Sequence, residues 1–486
     1  MSDEQSQPAV VLPSHDDPFV AVASGAIGGR AGLRVAAEAG VWTALRIVLV
    51  MALVSFGLGL VLKQPCRANA WSTGNQYVNA CYSDIGFLYR DRGLADGKTP
   101  YGSTVVDQQV EYPVLTGGVM FIAAKLTGTH GPIQDRMRRF YDITAIFLLL
   151  AALGAVYATA RTHRRRPWDA AMVALAPGLI LAATINWDLI AVALTAGALL
   201  AWSRSKPMLT GVMLGLAVAA KFYPLFVLGP LLVLCLRAGR MRDFWRTAAT
   251  GLAVWAAVNL PVYLAWPQGW KRFYVFSTDR SWDYGSFWYA LDLRHHPIPR
   301  AELNTIALAV FLILCGAVAV LALAVKRRPR LPQLVFLVVA AFLVTNKVYS
   351  PQFVLWLIPL AVLARPRWRD FLIWQSCEVL YFFAAWWFLQ SLAHPDRALP
   401  AEWYATAVFV HILGTLFFAA MVVRDIVRPQ HDPVRTDGID VDDPAGGVLD
   451  HATDRFVLRV PAAVGPAIVD GEALEPVDVG SSSATF

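Results

Sequence analysis

The chain has 486 residues, 57% of them hydrophobic and only 16% charged, with a formal net charge of +7 and a mean hydropathy of +0.48. Soluble domains run at about 45–50% apolar and about 25% charged residues, so a soluble globular protein is excluded as the first reading. No Lys/Arg-rich face with interleaved aromatics lies outside the loops, so the positive surplus points to membrane topology and gives no reason to expect a nucleic-acid partner.

The first forty residues are polar, so the first apolar run reads as a retained helix rather than a cleaved signal peptide. Residues 1–40 are expected to be a disordered cytoplasmic head. Apolar runs of helical type then fall at 41–62, 142–160, 168–184, 188–202, 208–220, 222–236, 245–264, 305–325, 331–345, 352–364, 371–391 and 404–423. Several are shorter than the ~20 residues of a perpendicular span, which tilt or local thinning can accommodate. A thirteenth stretch, 112–126, is short and contains glycine. Two long polar segments, 63–111 and 265–304, interrupt the pattern. The tail from 424 to 486 is rich in Asp, Gly and Pro and is expected to be disordered and cytoplasmic. The expected fold is an all-α polytopic membrane protein whose transmembrane domain covers 41–423.

Basic clusters occupy every second connection: Arg161, Arg164, Arg165 and Arg166; Arg204 and Lys206; Arg237, Arg240, Arg242 and Arg246; Lys326, Arg327, Arg328 and Arg330; Arg365, Arg367 and Arg369; Arg424 and Arg428. The positive-inside rule makes these cytoplasmic. Both termini are then cytoplasmic, and 63–111 and 265–304 become outer loops. Parity holds only if 112–126 does not cross fully, so this stretch is read as re-entrant, which is tolerated where protein or a wet cavity covers the backbone.

That orientation puts Asp84, Glu111, Asn186, Asp188, Lys221, His295, His296 and Lys347 at the outer side or the outer membrane boundary. A charge at the bilayer centre costs roughly 2.5–3.5 kcal/mol on insertion scales. Lys221 (AVAAKFYP) and Lys347 (TNKVYSPQF) therefore either snorkel to the interface or hold an anion there. Asp84 (CYSDIGFLYRDRG) is either a helix-capping carboxylate or the base for an acceptor hydroxyl. Glu111 and Asp188 are second carboxylates, and Asp188 equally suits a helix N-terminus. Glu378 lies inside an aromatic span (IWQSCEVLYFFAAWW), as a functional acid or as half of a structural polar pair. His295 and His296 are too divergent as neighbours for a joint metal site, but one could meet a phosphate. Cys66 and Cys81 share the first outer loop and are candidates for a disulfide, while Cys235, Cys315 and Cys377 lie in apolar runs. Trp266, Trp270, Trp282 and Trp288 are candidates for stacking on sugars or for interfacial anchoring. No metal-ligand spacing and no Gly-rich phosphate loop occurs in the sequence.

The order of YSDIGFLYRDRGLADGKTPY, VEYPVLTGG, NWDLIAVALTAGALLAW, GVMLGLAVAAKFYPLFVLGPLLVL and NKVYSPQFVLWLIPLAVL resembles the GT-C superfamily of lipid-linked-sugar glycosyltransferases. It is most similar to glycosyltransferase family 87, the actinobacterial polyprenyl-phosphate-mannose-dependent mannosyltransferases. The resemblance implies a GT-C type bundle of about 12–13 transmembrane helices with a large first extracytoplasmic loop. It implies a polyprenyl-phosphate sugar donor, entering from the membrane, and a glycolipid or glycan acceptor of the cell envelope, with no cofactor. It places the acidic catalytic residue at Asp84, and maps the Lys-x-x-Pro and Ser-Pro-Gln motifs to Lys221–Pro224 and Ser350–Gln352. Tyr112, Tyr349 and Gln352 join Glu111, Asn186, Asp188 and Glu378 as candidate substrate contacts, and Lys221, Lys347, His295 and His296 as candidate phosphate ligands. Two departures stand out: Tyr112-Pro113-Val114 replaces Tyr-Pro-Pro, and no second Asp sits beside Asp84. The competing expectation is a transporter or flippase of a lipid-linked glycan, which Glu378 suits, although no internal repeat is evident.

Overall fold

The computed structural model describes residues 10–27, 41–392, 394–436 and 443–458, and among them there is no strand. The helices that build the bundle are α1 (Ala44–Ala68), α2 (Asp84–Asp91), α3 (Val114–Thr127), α4 (Ile133–Thr162), α5 (Asp188–Ser203), α6 (Pro207–Ala220), α7 (Leu228–Arg237), α8 (Met241–Ala265), α9 (Pro267–Asp279), α10 (Phe287–Leu293), α11 (Arg300–Ala324), α12 (Leu331–Thr345), α13 (Val354–Ala364), α14 (Trp368–Leu389) and α15 (Ala401–Val427). Among the described residues six helices, α1, α4, α8, α11, α14 and α15, are long and apolar enough to cross a membrane. The protein is a multi-pass membrane protein.

The shorter apolar helices have a physical reason for being short. Every residue of α13 and nearly every residue of α12 is buried inside the protein, whereas α8 and α11 present most of their surface outward. A helix covered by protein can stop at membrane depth where irregular backbone lines a cavity. α6 stops at Lys221 and α12 at Asn346, and both residues face one. α6 packs tightly on α8 because Gly211 and Gly215 lie one turn apart. A Cβ at either would come within 2.4 Å of Thr247 O or Gly251 O, the close backbone approach that small residues permit between membrane helices.

Two single elements bear on the bundle. The run 168–184 is not one helix but a 3-10 turn (Pro167–Asp169) and two short helices, Ala170–Ala174 and Pro177–Ala182. Pro177 cannot continue the hydrogen-bond ladder, and the next amide, Gly178 N, donates instead to Gln375 Oε1 on α14 at 2.9 Å. The stretch 112–126 folds as α3, one helix of fourteen residues. Tyr101 Oη bonds the carbonyls of Tyr112 (2.9 Å) and Pro113 (3.0 Å) at its start, and Tyr89 Oη reaches Gly128 O (3.4 Å) at its end. Both ends are thus tied to residues of the first long loop, as the re-entrant reading expects.

The arginine clusters gather on one face, and the described parts of the two terminal segments pair with them there. Arg330, fully buried, forms a forked pair with Asp432 of the tail at 2.8 and 2.9 Å, and Gln333 Nε2 adds a bond at 3.1 Å. Asp454 pairs with Arg237 (2.6 Å) and Arg328 (2.7 Å). Near the N-terminus Asp16 pairs with Arg166, and Asp17 accepts the amide of Trp368 at 2.8 Å. Buried guanidinium groups cannot stay unpaired, so the terminal carboxylates are held where composition alone suggests only a solvated tail. The remaining terminal residues lie outside the described ones. Asp432→Ala would leave Arg330 buried without its partner, at a cost of roughly 3–5 kcal/mol. A marked fall in the thermal midpoint of the detergent-purified protein is expected, read by fluorescence-detected size exclusion.

Candidate functional site

On the opposite face, segments distant in sequence converge on a cavity of about 680 Å³. Asp84, Glu111, Tyr112, Asn186, Lys221, Lys347 and Gln352 all line it, together with Arg280, Asp283 and an aromatic set.

Asp84 opens α2. The loop before it is pinned by the Cys66–Cys81 disulfide, by Trp71 Nε1 on Cys81 O (3.1 Å) and by the buried Lys63 Nζ on Tyr82 O (2.8 Å). Ser83 caps the helix by accepting the amide of Ile85 (3.3 Å), and its hydroxyl donates to Thr184 O (2.8 Å). The Asp84 amide donates to Ile185 O at 2.8 Å. These bonds lock α2 against the end of the broken segment 167–182. Burial raises the Asp84 carboxyl to about 6; the Tyr82 hydroxyl and Lys221 act the other way, and Asp188 and Glu111 add to the rise. A carboxylate so placed is ionised near neutral pH yet basic enough to accept a proton.

Glu111 reaches the cavity but is held by Arg92 in a forked pair at 2.6 and 2.7 Å, so it is a neutralised wall rather than a second free base. Asp188 does not line the cavity. Its carboxylate is fully buried and accepts Lys221 Nζ at 2.6 Å and Trp356 Nε1 at 2.9 Å, while Asn186 Oδ1 takes the Asp188 amide at 3.0 Å. Lys221 also lies over the rings of Tyr112, Phe353 and Trp356 at 5.0, 5.5 and 5.7 Å. It is an ammonium in an aromatic cage with its own counter-ion, not an open anion clamp. Asp188→Ala would strand that ammonium in the cage; breaking a buried pair costs roughly 3–5 kcal/mol. The expected result is a lower thermal midpoint with loss of transfer, and Asp188→Glu should recover part of both.

The cation that sequence reading missed is Arg280, just after α9. It is ion-paired with Asp283, and the carboxylates of Asp84 and Glu111 act on it across the cavity. Lys347 stands near it, its Nζ donating to Asn304 Oδ1 (2.7 Å) and Thr278 O (2.8 Å). The only hint of Arg280 in the sequence is its place in the polar run TDRSWDYG, and one Arg in an outer loop carries no signal alone.

Four further candidates are not at the cavity. His295 and His296 are exposed on the turn that ends α10, where His295 takes a left-handed φ of 61°; this turn projects them outward. Tyr349 and Glu378 sit in a dry polar cluster. Glu378 accepts Trp374 Nε1 (3.1 Å) and Thr415 Oγ1 (3.3 Å), and Tyr349 Oη meets Thr415 Oγ1 (3.1 Å). That cluster reaches the loop carrying Arg280, because His411 Nε2 lies 3.1 Å from Gly285 O and Tyr404 Oη accepts the Gly285 amide at 2.9 Å. Its partners satisfy the intramembrane acid, and Glu378 is absent from the cavity lining. The four outer-loop tryptophans are also absent from the lining: Trp270 bonds Asn259 (3.0 Å) and Trp288 bonds Thr345 O (2.9 Å). Among the described residues, no group of three or more His, Cys, Asp or Glu side chains is placed to hold a metal ion.

Residues 138–345 match the sequence model of glycosyltransferase family 87. The matched region runs from α4 to the end of α12 and holds Asn186, Asp188, Lys221 and Arg280, while Asp84, Glu111 and Lys347 lie outside it. No curated protein matches the chain. Among solved structures, ArnT from Cupriavidus metallidurans bound to undecaprenyl phosphate is 15% identical, with 76% of this chain and 77% of that one covered and a TM-score of 0.40. The archaeal oligosaccharyltransferase AglB from Archaeoglobus fulgidus, in complex with an inhibitory peptide and a dolichol-phosphate, is 11% identical, with 78% and 56% covered and a TM-score of 0.38. The chain thus spans little more than half the length of the second.

Proposed function

We propose that this chain, which carries a family 87 region between residues 138 and 345, is an integral membrane glycosyltransferase. It moves a sugar from a polyprenyl-phosphate donor to a glycolipid or glycan acceptor on the extracytoplasmic side of the plasma membrane. Mannose is the sugar that the family resemblance favours. The observation that carries the reading is the shared cavity: a desolvated carboxylate at Asp84 and the cations Arg280 and Lys347 line one space.

In the proposed step an acceptor oxygen attacks the anomeric carbon and its proton passes to Asp84. The bond from that carbon to the phosphate oxygen breaks, and the electron pair leaves with the lipid phosphate. That group departs as an anion, so fixed positive charge stabilises it better than a general acid would. Arg280 supplies a planar fork suited to phosphate oxygens, and Lys347 adds a second charge. Lys221 acts at one remove by favouring the Asp84 carboxylate. The apolar residues Phe222, Phe273, Phe276 and Phe342 at the cavity edge suit the polyprenyl chain. The arginine-rich face opposite supports this orientation through the positive-inside rule.

The direct test is a transfer assay with purified protein in nanodiscs, polyprenyl-phosphate mannose carrying a radiolabel, and an envelope lipid extract as acceptor. Labelled glycolipid is expected; donor left intact under conditions where undecaprenyl phosphate binds would remove the transferase reading and favour transport.

A further inference from the structure

The cavity has a second wall that the mechanism above does not use. Tyr77 stacks on Tyr82 (centroids 5.8 Å, 11°), and Trp386 closes on both at 6.4 and 4.9 Å. All three line the cavity with Tyr284. They come from three separate segments: the first long loop, the loop after α9, and the end of α14. Aromatic rings gathered only for packing would be covered on both faces, yet Tyr77, Tyr82 and Tyr284 keep partial exposure. The wall is also rigid. The disulfide brackets Tyr77, Lys63 holds the Tyr82 carbonyl, and Gly285 beside Tyr284 is fixed by Tyr404 and His411.

We propose that this aromatic wall, backed by the buried Trp386, is the acceptor subsite and that it takes an uncharged pyranose, with one sugar face on the partly exposed Tyr77 and a hydroxyl turned to Asp84. The inference rests on the transferase reading and assigns the half of the cavity that reading leaves open. Three observations carry it. Tyr82 lines the cavity together with Asp84, and its hydroxyl acts on the Asp84 carboxyl, so a ring on this wall lies beside the base. The polarised C–H bonds of a pyranose face complement the negative face of an aromatic ring. The charges argue against an anionic ring: Asp84 is the carboxylate next to the wall, while the cavity cations Arg280 and Lys347 are assigned to the donor phosphate. An acidic sugar would meet a like charge at the wall and would compete with the phosphate for those cations.

The test uses the full-length protein in nanodiscs and methyl α-D-mannopyranoside as the acceptor probe, read by saturation-transfer NMR. Methyl α-D-glucuronoside serves as the charged control, and undecaprenyl phosphate as the probe of the donor side. Expected are binding of the neutral glycoside, weaker binding of the glucuronoside, and a loss of about 2- to 12-fold in neutral-glycoside affinity in Tyr77→Leu, the equivalent of one aromatic contact. Tyr77→Phe should bind as the wild type does, and undecaprenyl phosphate binding should be the same in all three. Unchanged glycoside binding in Tyr77→Leu, equal binding of the glucuronoside, or parallel loss of both probes would each overturn the proposal. Sugar transfer by the wild type together with an unchanged acceptor KM in Tyr77→Leu would sink the subsite alone and leave the transferase reading standing.

Discussion

Asp84→Asn is expected to lower sugar transfer by about 10²–10⁴-fold, the usual worth of a positioned general base, while undecaprenyl phosphate still binds. Asparagine keeps the shape and an acceptor for the Tyr82 hydroxyl, so the loop has no reason to move; only the proton site is lost. The wild-type pH profile gives an independent check. Burial raises the Asp84 carboxyl to about 6, and only the ionised form accepts a proton. The value of kcat/KM should therefore fall roughly tenfold per unit as pH drops below about 6, and level off above it. Lys221 favours the ionised form, so Lys221→Met should move this acid limb to higher pH. In Asp84→Asn the limb should vanish along with most of the rate. Transfer that stays within twofold of wild type would remove Asp84 from the base role.

Arg280→Ala should lower turnover by about 10²–10³-fold, the scale seen when one fixed donor to a developing oxyanion is removed. Among the described residues lining the cavity, Lys221 is spoken for by Asp188, and Lys347 by Asn304 and Thr278 O. Arg280 is also paired, but with Asp283 on the same loop, and both side chains keep some exposure at the cavity. That pair can open to admit a phosphate at little cost, since a partly exposed ion pair is worth about 1 kcal/mol or less. Arg280→Lys should restore only part of the rate because an ammonium lacks the planar fork. Asp283 also accepts the Tyr284 amide at 2.6 Å, so the loop retains an anchor in the alanine variant. An Arg280→Ala protein with wild-type turnover would shift the phosphate role to Lys347.

How legible the site was depends on the residue. Asp84 and Glu111 stand out because a helix start and a Glu-Tyr-Pro turn beside an apolar run are local patterns. Lys221 is visible as a charge against apolar flanks, but its cage is not: Asp188, Trp356, Phe353 and Tyr112 come from three other segments. His295 and His296 looked suited to a phosphate only because a loop assignment says nothing of direction. Glu378 shows the same limit, since a buried acid marks a site or a structural pair equally well until its partners are known. Arg280 and the Tyr77–Tyr82–Trp386 wall carry no local pattern at all.

What the sequence settled alone is the solvent; for the sidedness it sets an expectation. Helical-length apolar runs demand a bilayer, and alternation of basic connections divides the loops between two faces; both follow from transfer free energies that act residue by residue. Only the tertiary structure decided which charges are open and which are spent, because pairing is set by distances between segments far apart in sequence. The same long-range pairing fixed the break of the run 168–184 at Pro177, tied the ends of α3 to the first long loop, and drew the acidic tail onto buried arginines.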